Sequence, residues 1–530
     1  MSMKVRPARW LVSLCGMLGA VSSPLFAAPP ADLDTFAARA MNAFDVPGMA
    51  VAIVESGQAT VTKGYGVRKL GEPGRVDEHT IFSIASNTKA FTTTALAILV
   101  DEGKLSWDDK VVDRLPGFRM FDDYTTREMT LRDLLTHRSG LGLGAGDLMF
   151  WPETTFTRPQ IVERLRFVRP ATSFRSGYAY DNVLYVVAGS VIEALSGQSW
   201  ESFIQQRIFA PLGMRDSVPS FKDVRTDNRG WPHTRTSGRI RGMGPVAPLA
   251  RVASIDNEAP AGGIHSSASD MARWIRLQLD RGKLGEGRLF SEAVAKEMWT
   301  PQTLIPIEPA APPLTLTTPG FNTYAFGWVI RDYRGHKIVM HEGLQEGAIS
   351  ATILVPDRHV GFIVMINSED GEARWSLCYH LLDHYLKLPP TNWIGAYTAA
   401  RAQTFAESLR TLDAAAAASP VASAEGPSLP LAQYARIYRD PWYGTVSVTA
   451  NATGLQISFD HTPAMRGALE HVQGDTFRTR FVDRGVEDAY ITFSLNSDHS
   501  VERATMRPIS PLADFSFDYA DLSLTPSSGN

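Results

Sequence analysis

A serine placed three residues ahead of a lysine on a helix puts a hydroxyl and an amine on one face, one turn apart. Ser86-Asn87-Thr88-Lys89 is such a string. The chemistry it suits is attack on a carbonyl carbon, because a serine hydroxyl becomes a useful nucleophile once a neighbouring base takes its proton. A free lysine titrates near ~10.4 and is charged at neutral pH, but desolvation lowers that value by up to about 3–5 units. Two further polar groups stand downstream in Tyr180-Asp181-Asn182 and His341-Glu342-Gly343. Tyr180 and Asn182, two apart, face one cleft if the backbone there is extended. Tyr180 as phenolate is the alternative base, and residue types alone do not choose between it and Lys89.

These groups need elements to hold them. Ala90, Phe91, Ala95, Leu96, Ile98, Leu99 and Val100 recur at helical spacing with no Gly or Pro between, and Glu102-Gly103 supplies a stop, so a helix of about four turns starts near Ser86. Residues 36–44 read as a helix and residues 48–57 and 60–66 as a strand hairpin. Leu131 to His137 reads as a short amphipathic helix, and the glycines at 140, 142, 144 and 146 read as a flexible loop, no Lys-Ser/Thr following to make a phosphate loop. A turn-rich segment from Phe174 to Asn182 feeds an apolar helix over 183–195. Another helix covers 268–279, with Ser269-Asp270 as its cap. From Lys337 the period becomes that of strands, over 337–341, 349–355 and 360–366, with Asp357-Arg358 as a tight turn and the His341 triplet ending the first.

At 530 residues the chain exceeds the size at which one core stops growing, so two domains are expected. Hydrophobic content of 44% and charged content of 20% describe an ordinary globular protein, and a net charge of −4 argues against a nucleic-acid partner. Lys4, Arg6 and Arg9, the apolar run from Trp10 to Val21 and the small-residue exit to Ala28 form a secretory signal over residues 1–27, its cut after Ala27 or Ala28. That run is shorter than the roughly 20 residues a bilayer span needs, and no other such stretch follows. The expected location is therefore periplasmic or secreted, with no integral membrane segment after cleavage. Of two cysteines only Cys378 survives cleavage, in an apolar run where it packs, so core size rather than disulfides must stabilise the fold. His380 and His384, four apart, lack the glutamate of a zinc-peptidase helix, Leu381 standing there. No cofactor and no metal are implied.

Residues 391–412 read as a helical connection and 414–430, rich in Ala, Ser and Pro, as a linker. Beyond it come short alternating strands over 445–449, 455–459, 476–481, 490–495 and 501–506, suiting a small antiparallel barrel or sandwich. Arg439 to Gly444 reads as a turn with buried aromatics.

Three motifs in this order, together with residues 131–141, 208–214 and 262–274, resemble the serine β-lactamase and penicillin-binding protein superfamily, in its class C-like branch of esterases, D-aminopeptidases and D,D-peptidases. The resemblance spans about Asp32 to Leu388, and the tail from about Leu431 resembles a lipocalin-like barrel. It implies an α+β catalytic domain over 28–390, an antiparallel sheet flanked by helices with a helical subdomain, then a connection over 391–430 and an all-β barrel over 431–530. It implies Ser86 as nucleophile, Lys89 and Tyr180 as the proton-handling pair, and Asn182, His341 and Gly343 at the substrate. The backbone N–H groups of Ser86 and Leu344 would form the oxyanion hole.

Two departures bear on substrate. His341 replaces a lysine and is mostly neutral at pH 7, a weaker handle for a carboxylate. Glu342 and bulky Leu344 are expected to add negative charge and narrow the groove. An exported serine hydrolase acting through an acyl-serine on small-molecule or peptide substrates follows, peptidase or amidase and carboxylesterase standing level, with preference for neutral or amine-bearing substrates and a β-lactamase or D,D-peptidase behind. A non-catalytic binder of cell-wall peptides or penicillin, and a structural protein whose barrel is the working end, are the other classes. Oligomeric state and the barrel's role stay open.

Overall fold

The computed structural model describes residues 28–418 and 425–527. The signal segment expected over residues 1–27 lies outside them. Helix α1 (Leu33–Ala43) leads into the hairpin β1 (Gly48–Glu55) and β2 (Gln58–Gly66). Helices α2 (Thr88–Asp101), α3 (Val183–Ser196) and α4 (Ala268–Leu279) follow, then strands β3 (Thr303–Leu304), β4 (Asn322–Tyr324), β5 (Val329–Tyr333), β6 (His336–Gln345), β7 (Ala348–Val355) and β8 (Val360–Ile366), and helices α5 (Gly371–Leu386) and α6 (Trp393–Ala418).

The strands make one antiparallel sheet in the order β2-β1-β8-β7-β6-β5-β4-β3. Strand alternation divides its side chains between two cores. Met49, Val51 and Ile53 of β1 pack with α1, α5 and the start of α6, whereas Ala50, Ala52 and Val54 join the larger core containing α2, α3 and α4. The N-terminal domain is thus α+β, the sheet covered by helices on both faces. Helix α2 is buried along nearly its whole length, with Phe91 stacked on Trp274 at 3.6 Å between ring centroids. A helix enclosed on all sides is a rigid mount for what stands at its start.

Several local expectations change. Strand β6 runs through the His341 triplet to Gln345, so the triplet lies inside the strand rather than ending it. The α4 cap is Ser267, whose side chain accepts from the Asp270 amide; Asp270 is buried and accepts from the amides of Asp216 and Ser217. The tight turn is a 3-10 turn over Pro356–Arg358 that closes on His359 at φ 49°. Helix α6 continues into the expected linker as far as Ala418.

The C-terminal unit is a closed barrel of β9 (Ile437–Asp440), β10 (Gly444–Asn451), β11 (Gly454–Phe459), β12 (Thr462–Gln473), β13 (Thr476–Phe481), β14 (Ala489–Leu495), β15 (Val501–Pro508) and β16 (Ser523–Pro526). Strand β12 was absent from the sequence reading because Pro463 and Gly467 break its apolar alternation. Gly467 is there for close approach, since a Cβ would lie 1.9 Å from the Arg480 carbonyl oxygen. The barrel is seated on the N-terminal domain: Arg164 Nη1 donates to the Trp442 carbonyl at 3.0 Å, and Phe156 stacks on His461 at 3.8 Å. Its interior belongs to the same continuous core as α2 and α3.

Candidate active site

The residues before α2 form a tight 3-10 turn over Ala85–Asn87. Ala85 adopts φ 44°, a left-handed conformation that costs a residue with a Cβ about 1–2 kcal/mol and persists only where its surroundings fix it. The fixing contacts are local. Ile84 N–H donates to the Ile264 carbonyl at 3.0 Å, Ser350 Oγ donates to the Ile84 carbonyl at 3.0 Å, and Asn87 Nδ2 donates to Ser350 Oγ at 2.9 Å. Ser86 alone in this turn is only partly buried. The turn lifts one hydroxyl toward the cleft and buries its neighbours.

Three side chains from distant segments converge on Ser86. Lys89 Nζ lies 3.0 Å from Ser86 Oγ, and Tyr180 Oη lies 2.8 Å from the same atom. Lys89 also donates to Asn182 Oδ1 at 2.8 Å and to the Ala261 carbonyl at 3.2 Å. Asn182 is the residue before α3, which explains how a turn-rich segment delivers both Tyr180 and Asn182 to one point. Both acceptors at Lys89 other than Ser86 can only accept, so a neutral amine uses its two N–H bonds on them and turns its lone pair to the serine.

Burial drives the electrostatics. Lys89 is fully buried, and desolvation pushes its pKa down to about 8, opposed by the carboxylates of Glu258, Asp147 and Asp181. Desolvation pushes the Tyr180 phenol well above its ordinary range, the bond to Ser86 opposing it only partly. Between the two candidate bases, Lys89 is therefore the one that loses its proton near neutral pH, while Tyr180 stays a phenol. Tyr180 and Tyr185 also present ring faces to the Lys89 nitrogen, at 4.7 and 5.3 Å.

Strand β6 forms the facing wall. It pairs with β7 as far as Gln345, but with β5 only from His336 to Met340, so among the described residues no strand covers the other edge of 341–345. Gly343 allows that segment to approach the Ser86 turn: a Cβ there would stand 2.0 Å from the Ile84 carbonyl oxygen. His341 is buried, and desolvation pushes its pKa down to about 3. Its Nδ1–H must donate to the Glu342 carbonyl, 2.6 Å away, leaving Nε2 to accept from Tyr324 Oη at 2.8 Å. Both ring nitrogens are engaged and the imidazole is neutral.

The expectation for Glu342 and Leu344 is corrected. Glu342 pairs with Arg374 of α5, behind the sheet, so its charge is compensated and turned away from Ser86. Leu344, two residues on, shares that face by strand alternation and is exposed. The glycine-rich loop is also not loose: Gly144 N–H donates to the Tyr180 carbonyl at 2.9 Å, and residues 144–147 are buried.

The sequence reading missed Asp147, Asp181, Glu258, Tyr185 and Tyr324. Asp147 ends the glycine loop and Asp181 sits inside the tyrosine triplet, so both were within reach of a motif; Glu258 and Tyr324 carry no local signal. Burial pushes the Asp147 carboxyl up to about 7 and the Glu258 carboxyl up to about 8. Cys378 is buried and pushed up to about 12, a packed thiol. His380 stacks on Phe36 and reaches Asp32, while His384 meets the Ala28 carbonyl. Among the described residues no cluster of His, Cys, Asp and Glu is arranged to hold a metal ion, and no helix is long and apolar enough to cross a membrane.

The family model described as Beta-lactamase matches residues 33–387, and one described as a domain of unknown function, DUF3471, matches residues 422–526. The unguisins hydrolase ungD of Aspergillus violaceofuscus is 27% identical over 481 residues, covering 83% of this chain and 81% of that protein. Protein flp of Staphylococcus aureus (strain MRSA252) is 25% identical over 342 residues, 63% of this chain and 62% of its own length. Among solved structures, the octameric penicillin-binding protein homologue from Pyrococcus abyssi has a TM-score of 0.55 at 21% identity, covering 90% of this chain and 97% of that one. SurE has a TM-score of 0.53 at 20% identity, covering 94% and 99%. The last two likenesses concern the fold.

Proposed function

The chain belongs to the beta-lactamase family, a family of hydrolases, and from that premise we propose that it is an exported serine hydrolase that cleaves amide, peptide or ester bonds through an acyl-Ser86 intermediate. The observation that carries the reading is the pair of contacts on Ser86 Oγ, from Lys89 Nζ at 3.0 Å and Tyr180 Oη at 2.8 Å. Neutral Lys89 takes the hydroxyl proton as Ser86 Oγ bonds to the substrate carbonyl carbon. The carbonyl oxygen, now an oxyanion, accepts from the backbone N–H groups of Ser86 and Leu344, each donor worth about 3–4 kcal/mol in such sites. The proton passes from Lys89 through the Tyr180 phenol to the departing nitrogen or oxygen, and the C–N or C–O bond breaks. Water then repeats the sequence in reverse on the acyl-enzyme, returning the proton to Ser86.

Substrates without a carboxylate at the β6 wall are favoured, because His341 is neutral with both nitrogens engaged and Asp147, Asp181 and Glu258 surround Lys89. Labelling by a fluorophosphonate, lost in Ser86→Ala, tests the nucleophile. A panel of a p-nitrophenyl ester, D- and L-aminoacyl anilides, a D-Ala-D-Ala peptide and a cephalosporin tests the substrate class. Highest efficiency on the cephalosporin would overturn the preference.

A further inference from the structure

The segment 509–522, between β15 and β16, leaves the barrel and reaches the glycine-rich loop. The Phe515 ring occupies the space beside Gly144, where a Cβ would lie 2.4 Å from the ring. Gly146 N–H donates to Asp518 Oδ2 at 2.7 Å, and Ser516 Oγ–H donates to Asp147 Oδ2 at 2.8 Å. Asp147, fully buried, also accepts from Asn182 Nδ2 at 3.2 Å. A carboxylate can only accept, so this bond decides which end of the Asn182 amide faces which neighbour: Nδ2 toward Asp147 and Oδ1 toward Lys89.

We propose that Ser516 of the barrel is a positioning residue for the catalytic amine, acting through Asp147 and Asn182 to hold Lys89 Nζ on Ser86. The C-terminal barrel then completes the hydrolase site instead of merely accompanying it. The proposal rests on the assignment of Lys89 as the base.

The charges give it a distinctive readout. Asp147 is faced by Asp514 and Asp518 from the barrel segment and by Lys89 and Glu258 from the catalytic domain. Lys89 is faced by Glu258, Asp147 and Asp181, by the hydroxyls of Ser86 and Tyr180, by the Tyr185 ring, and by the neutral imidazoles of His341 and His137. The Ser516 hydroxyl is foremost among the groups that favour the ionised form of Asp147. Without it Asp147 holds its proton more tightly and gives up the negative charge that keeps Lys89 protonated. Lys89 then deprotonates at lower pH.

The test is the rate of Ser86 modification by a fluorophosphonate in the full-length protein, followed from about pH 5.5 to 9.5. In Ser516→Ala the acid limb should move to lower pH by about half a unit or more, with a plateau several-fold lower. Asp147→Asn should move it the same way, Ser516→Thr should restore the wild-type profile, and Leu512→Ala, an exposed position in the same segment, should leave it unchanged. A lower plateau in Ser516→Ala with the limb unmoved would mean docking only and overturn the proposal. If that variant does not fold, an unmoved limb in Asp147→Asn overturns it instead. A wild-type protein that is not modified at Ser86 overturns the nucleophile assignment, a different failure.

Discussion

Gly343→Ala is the sharpest perturbation of the site, because it adds one carbon and no charge. The new Cβ would stand 2.0 Å from the Ile84 carbonyl oxygen and 2.5 Å from Ser350 Oγ. Neither can yield cheaply: Ile84 O already accepts from Ser350, and Ile84 precedes the strained Ala85. Relief to the shortest separation such atoms tolerate requires β6 and the Ser86 turn to part by about 1 Å. In the proposed mechanism the Leu344 amide moves with β6 and Ser86 with the turn, so one oxyanion donor is lost while Lys89 and Tyr180 keep their places. Loss of one such donor costs about 10²–10³ in kcat. The assay is ester turnover with kcat and KM separated, beside thermal unfolding to show that the sheet still forms. The expected result is kcat down about 100-fold or more, KM changed far less, and the Lys89-dependent acid limb kept. A folded Gly343→Ala enzyme with kcat within about threefold of wild type would refute the placement of β6 against the turn.

Acylation should require neutral Lys89, whose pKa is pushed down to about 8; kcat/KM then falls about tenfold per pH unit below that value and levels above it, and Tyr180→Phe should lower the plateau without moving the limb. Glu342→Gln removes the partner of the buried Arg374 guanidinium and, with Glu342 itself a third exposed, should cost about 1–3 kcal/mol in a denaturant titration. The same variant should not change discrimination against carboxylate-bearing substrates in the panel, because Glu342 points away from Ser86. Phe91→Ala empties the space between Trp274 and Phe209 and should cost about 3–5 kcal/mol by the same titration, with weaker activity only where the protein is less folded.

What the sequence carried and what it withheld follow a physical division. Ser86, Lys89, Tyr180 and Asn182 were legible because local spacing fixes them: two lie on one helical turn and two precede the next helix. Strands β1, β7 and β8 were legible as long apolar runs buried on both faces, and the largely exposed edge strand β2 as the return arm of its hairpin. Glu342 was misjudged because its role depends on Arg374, 32 residues away on α5, which no period reveals. The glycine loop read as flexible because glycines permit a close approach as readily as they permit motion, and the partner making the approach, Phe515, comes from 371 residues further on. Strand β12 was invisible for a related reason, its Gly467 being a contact with β13 rather than a break.

In the proposed mechanism the carboxyl groups around Lys89 set the balance at which the buried amine works near neutral pH. Desolvation alone disfavours the ammonium by up to about 3–5 units, which would leave the amine neutral but too weak a base to remove a serine proton efficiently. Glu258, Asp147 and Asp181 pull the other way, and the balance falls at about 8. Glu258 at about 8 and Asp147 at about 7 are themselves raised by burial and lowered by Lys89, so the three groups exchange protons as a unit. Ionisation of either carboxyl strengthens Lys89 as a base while making its ammonium form more populated. The geometry, with two acceptors saturating the amine's N–H bonds, keeps its lone pair on Ser86 while ionised Asp147 holds the Asn182 amide in place. In such a site the nucleophile's activation is set less by any one pKa than by how firmly Asn182 and the Ala261 carbonyl hold the amine.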